Sequence, residues 1–173
     1  MLSQRAAGFT LIELLIVISI IGILAAIVFS SLSGAKKNAY YSRTLEEFHT
    51  IDTALELYEN DHGNFPPDAN RNLPPGLETY LGPGVWPQAP YPGSVYDWDS
   101  WAPSDLAYPP QQQVYQISVR FCTGSAPPGV CTIPNEPWAA GFDYYSALYY
   151  CISGPCRSHS SQPVNYPGKC VNC

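Results

Sequence analysis

Charge is scarce in this chain. Asp, Glu, Lys and Arg make up 13% of its 173 residues, about half the share usual in soluble domains. Basic residues are scarcer still, eight against fourteen acids, for a formal net charge of −6. They form no stripe, which argues against nucleic acid as a main partner, because phosphate binding needs clustered Lys and Arg. Proline is missing before Pro66 and cysteine before Cys122. Proline removes a backbone donor and clashes inside a helix. The proline-free first part therefore reads as one uninterrupted helix, and the proline-rich remainder as a loop-rich globular part. No G-x-S-x-G, H-E-x-x-H or phosphate-loop pattern occurs, and His49, His62 and His159 are scattered. No catalytic constellation stands out, so no enzyme is expected. Cys170-x-x-Cys173 lacks the following helix that lowers a redox cysteine's pKa.

Against these absences stands one long apolar run. Phe9 to Phe29 carries a single charge, Glu13. At about 1.5 Å per residue it spans ~32 Å, enough to cross the hydrocarbon core of a bilayer. A polar stub with Arg5 precedes it; Ser30, Ser31, Ser33 and Gly34 follow, then Lys36 and Lys37. A cleaved secretory signal peptide fits poorly. The run is longer than a signal h-region of about 7–15 residues, it holds a carboxylate, and the helical pattern continues beyond it. Glu13 is costly in lipid unless it snorkels to the headgroups or meets a cation. A chain cut before Phe9 would supply such a cation, its new α-amine, one turn away in the same chain or directly beside Glu13 in a displaced neighbour.

Gly8-Phe9-Thr10-Leu11-Ile12-Glu13-Leu14-Leu15-Ile16-Val17 resembles the prepilin signature of type IV pilins and type II secretion pseudopilins, with an essentially complete match over those positions. The resemblance implies cleavage between Gly8 and Phe9 by a membrane prepilin peptidase, with N-methylation of Phe9 by the same enzyme. It implies that Glu13 forms the assembly salt bridge with a neighbouring subunit. The implied partners are identical or homologous pilin subunits, the prepilin peptidase, a membrane assembly platform and, before assembly, the lipid bilayer. The implied location is the bacterial inner membrane, single-pass with an exported C-terminal domain, then a periplasmic or extracellular filament. Residues 1–8 would be the leader.

The expected fold class is α+β, a long helix over residues 9–60 against a small antiparallel sheet. Residues 9–29 would be transmembrane and 30–60 amphipathic. Leu45, Phe48, Ile51, Leu55 and Tyr58 recur on one helical face, and Asn60-Asp61-His62-Gly63 before Pro66 reads as a helix stop. Residues 61–173 would form the globular domain. Tyr115 to Phe121 alternates apolar and polar and predicts a strand. Val130 to Ile133 is expected to pair with it after the Pro127-Pro128-Gly129 turn, and Phe142 to Ile152 predicts a second strong strand. Thr53 to Pro66 is similar to the helix end of major pseudopilins. That family's calcium loop would fall at Ala147 to Gly154, which offers no carboxylate. Asp97, Asp99 and Asp105 are a remaining calcium candidate, without EF-hand spacing. No other cofactor is expected. Trp86, Tyr91, Tyr96, Trp98 and Trp101 read as a proline-stiffened packed loop or contact surface in preference to a ligand-stacking platform.

Cys122, Cys131, Cys151, Cys156, Cys170 and Cys173 are an even set, which in an exported domain reads as disulfides. Many pairings are combinatorially open. The local set Cys122–Cys131, Cys151–Cys156 and Cys170–Cys173 is expected, while a bridge from Cys151 or Cys156 to the terminal pair would tie down the tail equally well. Cys151-x4-Cys156-x13-Cys170-x2-Cys173 also has zinc-ribbon spacing, but an oxidising compartment favours disulfides, so no metal is expected. Taken together, the resemblance implies a structural filament subunit, foremost a type II secretion pseudopilin. The alternative is a type IV pilin or a minor tip pilin with a ligand-binding globular domain.

Overall fold

The computed structural model describes residues 9–123, 130–159 and 168–173, and all but the side chain of Ser30 among them. The chain divides into two compact units, Met1–Tyr40 and Tyr41–Cys173. One helix, α1 (Leu11–His62), runs from the first into the second. Its start is a capping box. The Thr10 amide donates to Glu13 Oε2 at 2.9 Å and the Glu13 amide donates to Thr10 Oγ1 at 3.3 Å. Its stop is Gly63, whose φ of +77° suits a residue without a Cβ and whose amide donates to Glu59 O at 2.7 Å.

In the first unit the helix has no inward face. Leu11, Ile12, Ile16, Ile20, Leu24 and Ile27 are all exposed. Among the described residues, α1 is the one helix long and apolar enough to cross a membrane. In the second unit the same helix is amphipathic. Phe48, Ile51, Ala54 and Leu55 are buried there, while Leu57 faces out. Leu45 is only half-buried, and Thr44 is fully buried in its stead.

The second unit is α+β. A four-stranded sheet runs in the order β1 (Val95–Trp101), β2 (Val114–Arg120), β5 (Ala147–Ser153), β6 (Lys169–Cys170). β1, β2 and β5 pair antiparallel, the small sheet expected of the α+β class, and the two-residue β6 adds to its edge in parallel with β5. A separate ribbon joins β3 (Cys122–Thr123) to β4 (Val130–Cys131). The Val130 segment therefore pairs with Cys122–Thr123 and not with the Tyr115 strand; Pro127-Pro128-Gly129 lies outside the described residues.

Helix and sheet meet through aromatic rings. Phe48 packs edge-on to Tyr96 at 5.8 Å and beside Tyr150 at 5.5 Å. Their hydroxyls return to the helix, Tyr96 to Glu47 at 2.7 Å and Tyr150 to Asp52 at 3.0 Å. Burial and then the Asp52 carboxylate push the Tyr150 phenol up to about 12, so both tyrosines stay protonated donors. Only the second half of the expected Phe142–Ile152 strand forms. Asp143 folds Asp143–Ser146 into a turn, accepting from the Tyr145 amide at 2.8 Å and the Ser146 hydroxyl at 3.1 Å. Short-range carboxylate bonding of this kind outcompetes strand pairing.

Candidate functional site

Glu13 lies on the first turn of α1, and three bonds tie it to Thr10, two of them through its carboxylate. Beyond the two backbone bonds of the capping box, Thr10 Oγ1 donates to Glu13 Oε2 at 2.6 Å. The helix itself creates the need for these bonds, because its first amides have no partner within the helix. A carboxylate at this position also faces the positive end of the helix dipole. Thr10 therefore keeps Glu13 hydrogen-bonded within its own chain while its apolar neighbours Phe9, Leu11 and Ile12 stay exposed. The sequence reading missed the role of Thr10, although Thr10-Leu11-Ile12-Glu13 carries the S/T-x-x-E spacing that signals a capping box. Gly8 lies outside the described residues, and Phe9 is 76% exposed.

Residues 3–29 match the family described as the prokaryotic N-terminal methylation motif. The chain is similar to type II secretion system core protein G of Aeromonas hydrophila, 36% identical over 38% of this chain and 46% of that one. The same protein of Klebsiella michiganensis is 34% identical over 51% of this chain and 59% of its own length. The type IV wide pilus major component PilA4 of Thermus thermophilus is 36% identical over 44% and 58%. The chain thus spans about half the length of the curated relatives it matches. No solved structure matches it significantly.

The second unit holds a different polar cluster, buried where the N-terminal segment is exposed. Asp97 and Asp99 lie on β1, Arg120 on β2, and His159 follows β5. Nε2 of His159 stands 3.4 Å from Asp97 Oδ2 and 3.3 Å from Asp99 Oδ2. Its Nδ1 faces the Tyr149 hydroxyl at 3.1 Å, which donates onward to Tyr145 O at 3.0 Å. Both ring nitrogens therefore face acceptors, the environment of an imidazolium. Arg120 Nη1 adds a second cation 3.4 Å from Asp97. Burial opposes the charge on His159, but the charge of Asp99 and the hydrogen bonds that the ring donates to both aspartates raise its pKa. Burial likewise opposes the charge on Asp97. The hydrogen bond and charge of His159, with Arg120, outweigh it and hold the carboxyl below its ordinary range. Asp68 is less well served, and burial pushes its carboxyl up.

These groups line a cavity of about 410 Å³ with Asn70, Arg71 and Trp101. The calcium candidate Asp97, Asp99 and Asp105 does not assemble there. Asp105 instead accepts from the Ala102 amide at 2.8 Å, closing a local turn. His159 and Arg120 stand against the carboxylates that an ion would need, so the cluster supplies its own cations. The pseudopilin calcium loop does not fit either, because Ala147–Ser153 is strand β5 and carries no carboxylate.

The aromatic segment is packed inward. Tyr91, Tyr96 and Trp98 are buried, Trp86 Nε1 donates to Tyr96 O at 3.3 Å, and Trp98 Nε1 to Pro66 O at 3.1 Å. Trp101 rests edge-on against His159 at 5.9 Å. The cysteines are joined as Cys122–Cys131, Cys151–Cys156 and Cys170–Cys173. Cys122 and Cys131 face each other across β3 and β4. The sulfurs of the other four lie together, within 4.8 Å of one another.

Proposed function

We propose that this chain is a structural, non-enzymatic subunit of a pilin-like filament, most closely a major pseudopilin of a type II secretion system. The observation that carries the reading is the methylation-motif match over residues 3–29 on a helix whose apolar side chains are exposed around one capped carboxylate. Such a helix is stable in lipid, and equally stable in the dry centre of a bundle of its own kind. Cleavage before Phe9 frees an α-amine that N-methylation keeps basic. Glu13 then exchanges the Thr10 amide and hydroxyl for the terminal ammonium of an adjoining subunit, a charge pair replacing neutral donors. The partners are copies or homologues of this chain, the prepilin peptidase and the membrane assembly platform. The C-terminal domain is exported from the inner membrane.

The similarity to a wide-pilus component favours a type IV pilin as the second reading. The inward packing of Tyr91, Tyr96 and Trp98 gives a ligand-binding tip domain less support.

Replacing Gly8 by a bulky residue tests the first step. The variant should accumulate in the membrane as a longer chain retaining Met1 to Gly8, read by intact mass. Normal processing of a Gly8→Leu chain would contradict the reading.

A further inference from the structure

The C-terminal cysteines lie closer together than two independent local bridges require. Cys151–Cys156 and Cys170–Cys173 span sequence separations of only 5 and 3. Bridges that short impose no reason for the two pairs to meet. Yet Cys151 Sγ stands 3.2 Å from Cys173 Sγ and 3.6 Å from Cys170 Sγ. The fold builds this approach. β6 pairs in parallel with β5, Tyr149 opposite Cys170. The Asn172 side chain then accepts from the Cys151 amide and donates to the Cys151 carbonyl, each at 2.8 Å. Asn172 thus adds one more rung to the ladder and carries the exposed Cys173 onto Cys151.

We propose that these four sulfurs form a thiol–disulfide exchange site, at which the local bridges isomerise to Cys151–Cys173 and Cys156–Cys170. The co-reactant is a small thiol or an exported dithiol oxidoreductase, used catalytically. Its thiolate attacks Cys170 Sγ, the Cys170–Cys173 bond breaks, and Cys173 leaves as a thiolate. Cys173 then attacks Cys151 Sγ, forming Cys151–Cys173 and releasing Cys156 as a thiolate. Cys156 finally attacks Cys170 Sγ of the mixed disulfide, forming Cys156–Cys170 and returning the external thiolate. Two bridges exist before and after, with no net oxidation or reduction.

Two effects favour the product. Cys151–Cys173 spans a separation of 22 residues, and a longer closed loop restrains the unfolded chain more. The new bridges also fasten β6, a two-residue edge strand, covalently to β5 and to the segment after it. Local bridges form first because short loops close at the smallest entropic cost. The inference requires an oxidising compartment and a catalytic thiol, and stands apart from the filament role.

Trypsin reads the outcome directly, because it cuts after Arg157 and after Lys169, between the two cysteine pairs. The full chain, purified in detergent without reductant, is incubated with a catalytic amount of reduced glutathione, alkylated, denatured and digested without reduction. Local bridges release the Cys170–Cys173 peptide free, closed on itself. Exchange leaves it attached to the Phe121–Arg157 peptide, and attachment after glutathione is the expected result. A terminal peptide still free after that treatment overturns the proposal. A double variant, Cys156→Ser with Cys170→Ser, checks the central contact. Cys151 and Cys173 should close into one bridge on mild oxidation, and two alkylated thiols there would equally overturn it.

Discussion

Residues 11–40 and residues 41–62 continue one helix, yet their apolar side chains meet opposite conditions. In the first stretch Leu11 is 86% exposed and Ile23 64%; in the second Phe48 and Ile51 are fully buried. Leaving one such side chain in water forgoes about 1.5–3 kcal/mol. The first stretch is also long and apolar enough to cross a membrane. The charges divide the same way. Glu13 is solitary and held by neutral donors from Thr10, whereas Asp97, Asp99, Arg120 and His159 neutralise one another inside the domain. The domain pairs its charges internally, and the N-terminal segment holds its one acid with neutral donors alone.

Five substitutions or conditions would break or sharpen that contrast. Phe48→Ala should cost the second unit about 3–5 kcal/mol, the usual penalty for a buried ring, measured by denaturant unfolding. His159→Ala should cost a similar ~3–5 kcal/mol, because it leaves two carboxylates buried with too few cations. Neither change should affect membrane insertion. Glu13→Val should spare the domain and act on assembly alone. The chain should insert with an unchanged domain melting temperature, while assembled filament falls by about 30-fold or more, the scale for losing one partner of a buried charge pair.

The pH dependence follows from the same cluster. The raised pKa of His159 means its ion pairs contribute fully below about pH 6.5 and are lost as pH rises through the raised value. The lowered pKa of Asp97 means its contribution is present above about pH 3.9 and lost as pH falls through the lowered value. The domain's melting temperature should therefore drop at both ends, and His159→Gln should remove the alkaline limb. An alkaline limb of wild-type size in that variant would assign it to other groups. The smallest effect is expected for Ile20→Ala, under about 0.5 kcal/mol on domain stability, with weaker retention in the bilayer as its only consequence.

The helix and its two characters were legible in the sequence, because periodicity and the absence of proline act locally. The stop at Gly63 was legible for the same reason. Strand β1 was not. Its prolines lie just upstream, and Asp97 and Asp99 read as loop residues or ion ligands. They are buried in a strand because Arg120 and His159, distant in sequence, neutralise them. The parallel β6 was hidden likewise, since its partner β5 is remote and two residues carry no period. At the N-terminus Glu13 was singled out as anomalous, but Thr10 was not. A capping box needs only a hydroxyl and a carboxylate at the right spacing, and the apolar run drew attention away from it.

The account depends most on what happens before Phe9. Intact mass and terminal sequencing of the mature subunit, taken from its native membrane, measure this directly. The prediction is a chain that begins at Phe9, lacks residues 1–8 and carries one added methyl group on its amine. A mature chain that keeps Met1 to Gly8, or one that begins beyond Phe29 with the apolar run removed, would contradict it.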